Sequence, residues 1–474
     1  MKSKFIRIFT ANHTNYTNMW LVIFILFPVS LFTQQNTEAS RRDTIRYGTD
    51  TEITSLIQAL RNERADYLDD ELAEIAKTSR NHRILTGVFN FFGEREKKGL
   101  EERAIKAVDQ RVDEANETVL SAIDYLVRVR YADSVPVLLE LIDTEERRFL
   151  NNGIRALGRA ASADKKTADD AADFLIDYYS NREQVADSRR ELITAIGATG
   201  STKGIEFLSE IAVNEDERVP LRIAAIESLS KIGAPECLDA IVACVNTNDP
   251  NVRSTAVGAL GPFSGEAVDR AILDAFRDSY YRTRIAAVQA SRDRKLEAAV
   301  PYLKFRAERD EIPNVREEAL RALGIIANRE AIETLEALFY DRRNSDRIRI
   351  VSADMMMKNA PTRNVSRLIA EIDEAKRRNQ TALYNGLLRP LGECVIEGDK
   401  TDLINITRRF FQSGAATEKL YALDIIANNN LSGFDSEINA LAADRNEGIA
   451  RRARQTQDRL GTGGGRAEQV TENN

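Results

Sequence analysis

Apolar and small residues along this chain return at a helical spacing, and that spacing is itself packaged into a longer repeat. The repeating unit starts at a residue that is often Arg, places a small residue three positions later and a small-plus-aliphatic pair at six and seven, and is frequently closed by Gly. Its clearest copies are Arg189–Gly197, Arg222–Ser230, Arg253–Gly261, Arg284–Arg292 and Arg316–Gly324. Weaker copies start at Arg83, Val119, Leu150, Arg349, Tyr384 and Lys419, so successive units lie 31–39 residues apart. Between them runs a second apolar stripe, as in Ala331, Ile332, Leu335, Leu338 and Phe339, or Ile205, Phe207, Leu208 and Ile211. Such spacing is one face of an amphipathic helix. Each unit therefore predicts two helices joined by a short turn, and neither can cover its apolar face without a neighbouring unit. Ala225, Ala256, Ala287 and Ala319 are the small positions that let paired helices approach closely.

Proline marks where several first helices begin: Asp249-Pro-Asn-Val-Arg253, Ile312-Pro-Asn-Val-Arg316 and Arg218-Val-Pro-Leu-Arg222. It fixes the first turn and lacks a backbone donor that would be unpaired there anyway. Through Asp249, Pro250, Val252, Arg253, Ala256, Ala259, Leu260 and Gly261 the chain resembles the HEAT repeat in its short bacterial, phycobilisome-lyase-type form. The resemblance covers residues 119 to about 445 well and 40–118 loosely. It implies an all-α fold, a right-handed α-α superhelix (a HEAT-like solenoid of about ten helix pairs over residues 80–455). In the family, Asp and Arg of neighbouring repeats form hydrogen-bonded ladders, a role the resemblance gives to Asp249, Arg253 and Arg316. It also implies that the second helix of each pair lines the inner side. Two segments depart from the pattern: Ala161–Thr167 is extra polar sequence expected to protrude as a loop, and Met355–Met357 replaces the usual Ala-Leu-Gly.

The ends differ from the middle. Lys2, Lys4 and Arg7 precede an uncharged run of 14 residues, Met19–Phe32, interrupted by Pro28. As a helix it would span about 21 Å, short of a hydrocarbon core of roughly 30 Å. Residues 1–39 are therefore expected to be a signal peptide, cleaved after Thr37-Glu38-Ala39, with an uncleaved anchor through residues 19–33 as the alternative. No Cys follows the run to carry a lipid. Residues 40–118 are expected to be a helical cap and a divergent repeat, 119–460 the array, and 461–474, which begins Gly-Thr-Gly-Gly-Gly, a disordered tail. Residues 51–77, with Ile53, Ile57, Leu60, Leu72 and Ile75 inside an acidic and Arg-rich stretch, supply the polar-faced cap.

Composition narrows the chemistry. The chain has 474 residues and two His, of which His13 lies in the leader and only His82 in the remainder. Imidazole-rich zinc or iron sites and an HExxH protease are thus out of reach, and no GxSxG accompanies His82. Cys237, Cys244 and Cys394 are spaced as buried apolar residues rather than as disulfide partners. Loss of the leader takes the net charge from −7 to −9, which disfavours general binding to a phosphate backbone. No catalytic residue, metal ligand or cofactor is called for.

Non-catalytic binding of another protein outside the cytoplasm, in the bacterial periplasm or cell envelope, is the function these features favour. A HEAT-like enzyme or lyase-related protein acting on a bilin or a nucleic acid is the alternative. The membrane enters only if the leader persists as an anchor. Charge suggests where a partner would sit: residues 161–217 carry 13 acids and 6 bases, whereas 342–409 carry 14 bases and 9 acids. Binding is expected along the inner surface, and on second helices, taken to line it, this singles out Asp177, Glu206 and Glu210 at the acidic end and Arg367, Arg408 and Arg409 at the basic end. Adjacent aromatics at Tyr178-Tyr179, Tyr280-Tyr281 and Phe410-Phe411 diverge by about 100° on a helix, so one of each pair is expected off the main apolar stripe.

Overall fold

A computed structural model of the chain describes residues 29–182 and 186–461, with side chains from residue 38 on. The described residues form 26 α-helices and a few 3-10 turns, and no strand is found among them. The chain divides into two compact units, one ending at Val129 and the other starting at Arg130. This boundary falls within the repeat that the sequence starts at Val119, because the helix carrying Val119 packs against helices that precede it.

The first unit contains α1 (Val29–Tyr47), α2 (Asp50–Glu63), α3 (Asp69–Thr78), α4 (His82–Glu94), α5 (Glu101–Asp109) and α6 (Asn116–Val129). Thr49 starts α2 with a capping box: its hydroxyl accepts from the Glu52 amide while the Glu52 carboxylate accepts from the Thr49 amide. Ile53, Ile57 and Leu60 of α2 are buried, and α4 buries Ile84, Leu85, Val88, Phe89, Phe91 and Phe92. The α4 helix lies between α2 and α6, so the stretch expected to act as a cap continues the same stacking. Arg41 of α1 donates to Glu63 at 2.7 and 2.8 Å and to the Tyr67 hydroxyl at 2.6 Å. The apolar leader run falls mostly outside the described residues, and the expected cleavage site at Thr37–Ala39 lies within α1.

The second unit opens with α7 (Val135–Asp143) and then alternates. Its first helices are α8 (Arg147–Ala161), α10 (Arg189–Thr199), α12 (Val219–Ile232), α14 (Pro250–Ala259), α16 (Tyr281–Asp293), α18 (Pro313–Ile326), α20 (Asp346–Asn359), α22 (Thr381–Glu393), α24 (Ala416–Asn429) and α26 (Glu447–Leu460). Its second helices are α9 (Lys165–Asn181), α11 (Ile205–Val213), α13 (Leu238–Val245), α15 (Glu266–Ala275), α17 (Val300–Arg309), α19 (Arg329–Tyr340), α21 (Pro361–Arg377), α23 (Thr401–Gln412) and α25 (Asp435–Ala442). The proline signals held: Pro250 and Pro313 each open a helix, and Pro220 occupies the first turn of α12. Gly233, in the left-handed region at φ 69°, closes α12 where a side chain would be strained.

The two layers pack differently. First helices lie against one another so closely that a methyl group built on Gly197 of α10 would stand 2.3 Å from Ser228 Cβ of α12. Gly324 of α18 meets Met355 of α20 in the same way, at 2.7 Å. Side-chain amides bolt these contacts: Asn359 donates to the Gly324 carbonyl and Asn428 to the Gly392 carbonyl, each at 2.8 Å. Ala225, Ala256, Ala287 and Ala319 have no exposed surface, as the close approach requires. Second helices touch one another more sparsely. A stack is inner on its closely spaced side, so in this unit the first helices form the inner layer, contrary to the expectation that the second helices do.

One local expectation changed on folding. Residues 161–167 do not protrude: Asp164 accepts from the amides of Lys166 and Thr167 at 3.0 and 3.2 Å and starts α9, whose 17 residues absorb the extra length. Met355, Met356 and Met357 are all buried, and Met355 packs against Gly324. Residues 462–474, expected as a disordered tail, lie outside the described residues.

Candidate binding surface

The ladder of the second unit is real but uses other acceptors than expected. Arg253 forks onto Asp278 at 2.7 and 3.0 Å, and Arg284 forks onto Asp310 at 2.7 and 2.8 Å. Arg222 reaches the Thr247 hydroxyl at 2.9 Å in the corresponding place. The three acceptors sit 25 or 26 residues beyond their Arg, in the turn before the next first helix. Burial raises the Asp310 carboxyl, but the Arg284 fork and the Ile312 amide outweigh it and hold the group below the ordinary aspartate value. Asp249 takes a different part, capping its own helix by accepting from the Asn251 and Val252 amides at 2.8 and 3.1 Å. Arg316 makes no rung. Asp341, at the corresponding distance along the chain, is held by the amide and guanidinium of Arg343, and the Arg316 Nε is buried without a partner. Asp278, Asp310 and Arg284 were thus missed as ladder members; the signal available was an Asp six residues before the next anchor Arg.

All six residues singled out for binding lie on second helices and are exposed. Asp177 on α9 accepts from Asn181 at 2.6 Å. Glu206 and Glu210 on α11 form no ion pair among the described residues. On α21, Arg367 lies 3.6 Å from the centre of the Tyr340 ring, a cation-π contact that leaves the guanidinium edge to solvent. On α23, Arg408 stands 6.0 Å over Phe434, while Arg409 pairs with Asp373 at 2.9 Å. The structure therefore separates free charges from spent ones. Much of the basic excess in residues 342–409 is neutralised internally: Arg342 and Arg349 on Glu371, Arg377 and Arg378 on Glu374, Lys376 on Glu418 and Arg389 on Asp354.

The inner layer is stitched by its own charges, through Arg155–Glu191, Arg292–Glu318, Arg347–Glu317, Arg389–Asp354 and Arg452–Asp424. The aromatic pairs mostly fill gaps between repeats: Tyr178 and Phe410 are buried, Tyr179 meets Phe207 edge-on with centroids 5.0 Å apart, and Phe411 meets Phe434 at 5.9 Å. His82 is exposed at the start of α4, beside a polar hollow of about 720 Å³ whose Thr54 and Ser55 hydroxyls are donated to carbonyls of α2. The three cysteines are free and buried, and burial pushes the Cys394 thiol up to about 12, far from a nucleophile's range. Among the described residues no cluster of His, Cys, Asp and Glu is suited to a metal ion, and no helix is long and apolar enough to cross a membrane.

Stacked helix pairs with an Asp–Arg ladder define a HEAT-repeat protein. Residues 45–456 match the spirochaete HEAT repeat protein family, and the chain belongs to it. No curated protein matches the sequence. Among solved structures the chain is similar to importin beta, at 11% identity and a TM-score of 0.47 over 90% of this chain and 70% of that one. It is also similar to Kap121p bound to Pho4p, at 12% identity and TM-score 0.48 over 91% of this chain, and spans 54% of the Kap121p chain. The Escherichia coli protein YibA gives 16% identity and TM-score 0.37, over 54% of this chain and 95% of that one.

Proposed function

We propose that the protein is a non-catalytic scaffold outside the cytoplasm that binds another protein along the second-helix layer of its second unit. One observation carries this reading. On that layer, free carboxylates on α11 and free guanidinium edges on α21 and α23 stand on well-separated helices, whereas most other charges nearby are spent on internal pairs. Opposed, unpaired charges at two ends of a rigid face steer and orient a partner more than they tighten its grip. Export is supported by the basic start and the apolar run of residues 19–32.

Two experiments test the reading. Fusing residues 1–45 to a reporter active only outside the cytoplasm should give activity; an inactive, cytosolic fusion removes the export half. Affinity capture from the source cell envelope should yield a partner whose capture falls with added salt. The triple reversal of Arg367, Arg408 and Arg409 to Glu should weaken that capture and flatten its salt dependence. Undiminished capture by the variant would discard this face.

A further inference from the structure

Outside the charged ends, one place on the second-helix layer combines an exposed ring with unspent cations. After α15 the chain turns through Phe276 and Arg277, and α17 starts at Val300-Pro301. Phe276 is buried, and its ring lies 5.6 Å from that of Tyr302. One turn further along α17, Phe305 is 49% exposed and is the one exposed Phe among the described residues. Pro301, Tyr302, Phe305, Phe276, Arg277 and Arg306 line a hollow of about 390 Å³, room for one large side chain.

The cations stand over these rings. Arg277 is 5.4 Å from the centre of Tyr302, and Arg306 and Arg309 are 5.3 and 5.7 Å from the centre of Phe305. A guanidinium stacked on a ring keeps its N–H edge outward, ready to fork onto a carboxylate. Local carboxylates do not satisfy them. Asp310 is already claimed by Arg284 and shares only a 3.4 Å contact with Arg306. Asp274 approaches Arg277 at 3.5 Å with both side chains more than half exposed, a weak pairing. Glu308 and Lys304 are exposed and oppose each other in charge. Burial pulls the Arg306 guanidinium below its ordinary value, with Asp310 opposing that shift and Arg284 adding to it.

We propose that this hollow between α15 and α17 docks an acidic peptide segment of a protein partner, one large apolar side chain entering against Phe276, Tyr302 and Phe305 while flanking carboxylates pair with Arg277, Arg306 and Arg309. The proposal rests on the scaffold reading above and gives it a specific contact. An apolar floor under a basic rim selects for both features at once, because a basic or uncharged segment leaves the guanidinium edges unpaired and a purely acidic one leaves the floor wet.

The probe is a fluorescein-labelled peptide, Asp-Asp-Phe-Glu-Asp, titrated with the full chain and followed by anisotropy. Saturable binding should appear, and Phe305→Ser and Arg309→Glu should each weaken it about tenfold or more. Both positions are exposed, so thermal unfolding should confirm that the variants remain folded. Equal affinity for the peptide with Ala in place of Phe, equal affinity for one with Lys in place of its acids, or no saturable binding would overturn the proposal. So would a concentration-dependent dimer that Phe305→Ser abolishes, since a second copy would then be the occupant. Peptide docking is read by anisotropy with the Phe305 and Arg309 variants and charge steering by envelope capture, so failure of one remains distinguishable from failure of the other.

Discussion

The two layers of the second unit are built from the same repeat and spend their residues in opposite ways. In the first-helix layer, glycine and alanine bring backbones together at Gly197 and Gly324, amides of Asn359 and Asn428 bind carbonyls across the seam, and arginines pair with carboxylates on the next helix. In the second-helix layer spacing is looser, Phe305 stands in solvent, and Arg367 and Arg408 rest on rings with no carboxylate partner. The difference teaches that stability and recognition are allotted to separate faces, so substitutions on each should report on one property and not the other.

The sharpest way to break the contrast is at the ladder. Arg284→Met leaves Asp310 buried without its main partner and should cost about 3–5 kcal/mol in chemical denaturation. The cost should depend on pH. Asp310 is held below its ordinary value, so its contribution is present at neutral pH and fades as pH falls through that depressed value. The deficit of Arg284→Met should therefore shrink below about pH 4, where protonated Asp310 no longer needs a counter-charge.

Overpacking the inner layer comes next. Ala256→Leu and Ala319→Leu should each lose roughly 1–3 kcal/mol, because neither position has free space. Unchanged melting in both would mean the tight layer has been misplaced. Arg316→Met sharpens the comparison from the other side: a buried Nε without a partner disappears while the packed stem is kept, so stability should stay level or rise by up to about 1 kcal/mol. The smallest effect belongs to the outer layer, where Arg367→Ala should change stability by less than about 0.5 kcal/mol while weakening partner capture.

These outcomes also indicate what was legible beforehand. The repeat, the helix starts at Pro250 and Pro313 and the small positions at Ala256 and Ala319 could be read directly, because each follows from local spacing or backbone chemistry. Pairings across repeats could not. Arg253 finds Asp278 through a turn whose length sequence periodicity does not fix, and Asp249, the more conspicuous acid, is consumed by its own helix. Asp164 misled for the same reason, since a polar run that looked like a loop contained a cap. The candidate binding residues do lie exposed on second helices, yet those helices form the outer and not the expected inner layer, and which of their charges remained free was decided by partners tens of residues away, as Arg409 with Asp373 illustrates.

The missing rung at Arg316 has a mechanical consequence. At the junction of α18 and α20 the far ends of the helices are bolted by Asn359 on Gly324, while the near end has no counterpart to the ladder forks of Arg253 and Arg284 and is held instead by Arg347 on Glu317 at 2.7 and 2.8 Å. A linear array carries stiffness only from neighbour to neighbour. Between the carboxylates of α11 and the guanidinium groups of α21 and α23, that one link is carried by an ion pair whose Arg347 faces solvent, the kind of contact that added salt weakens.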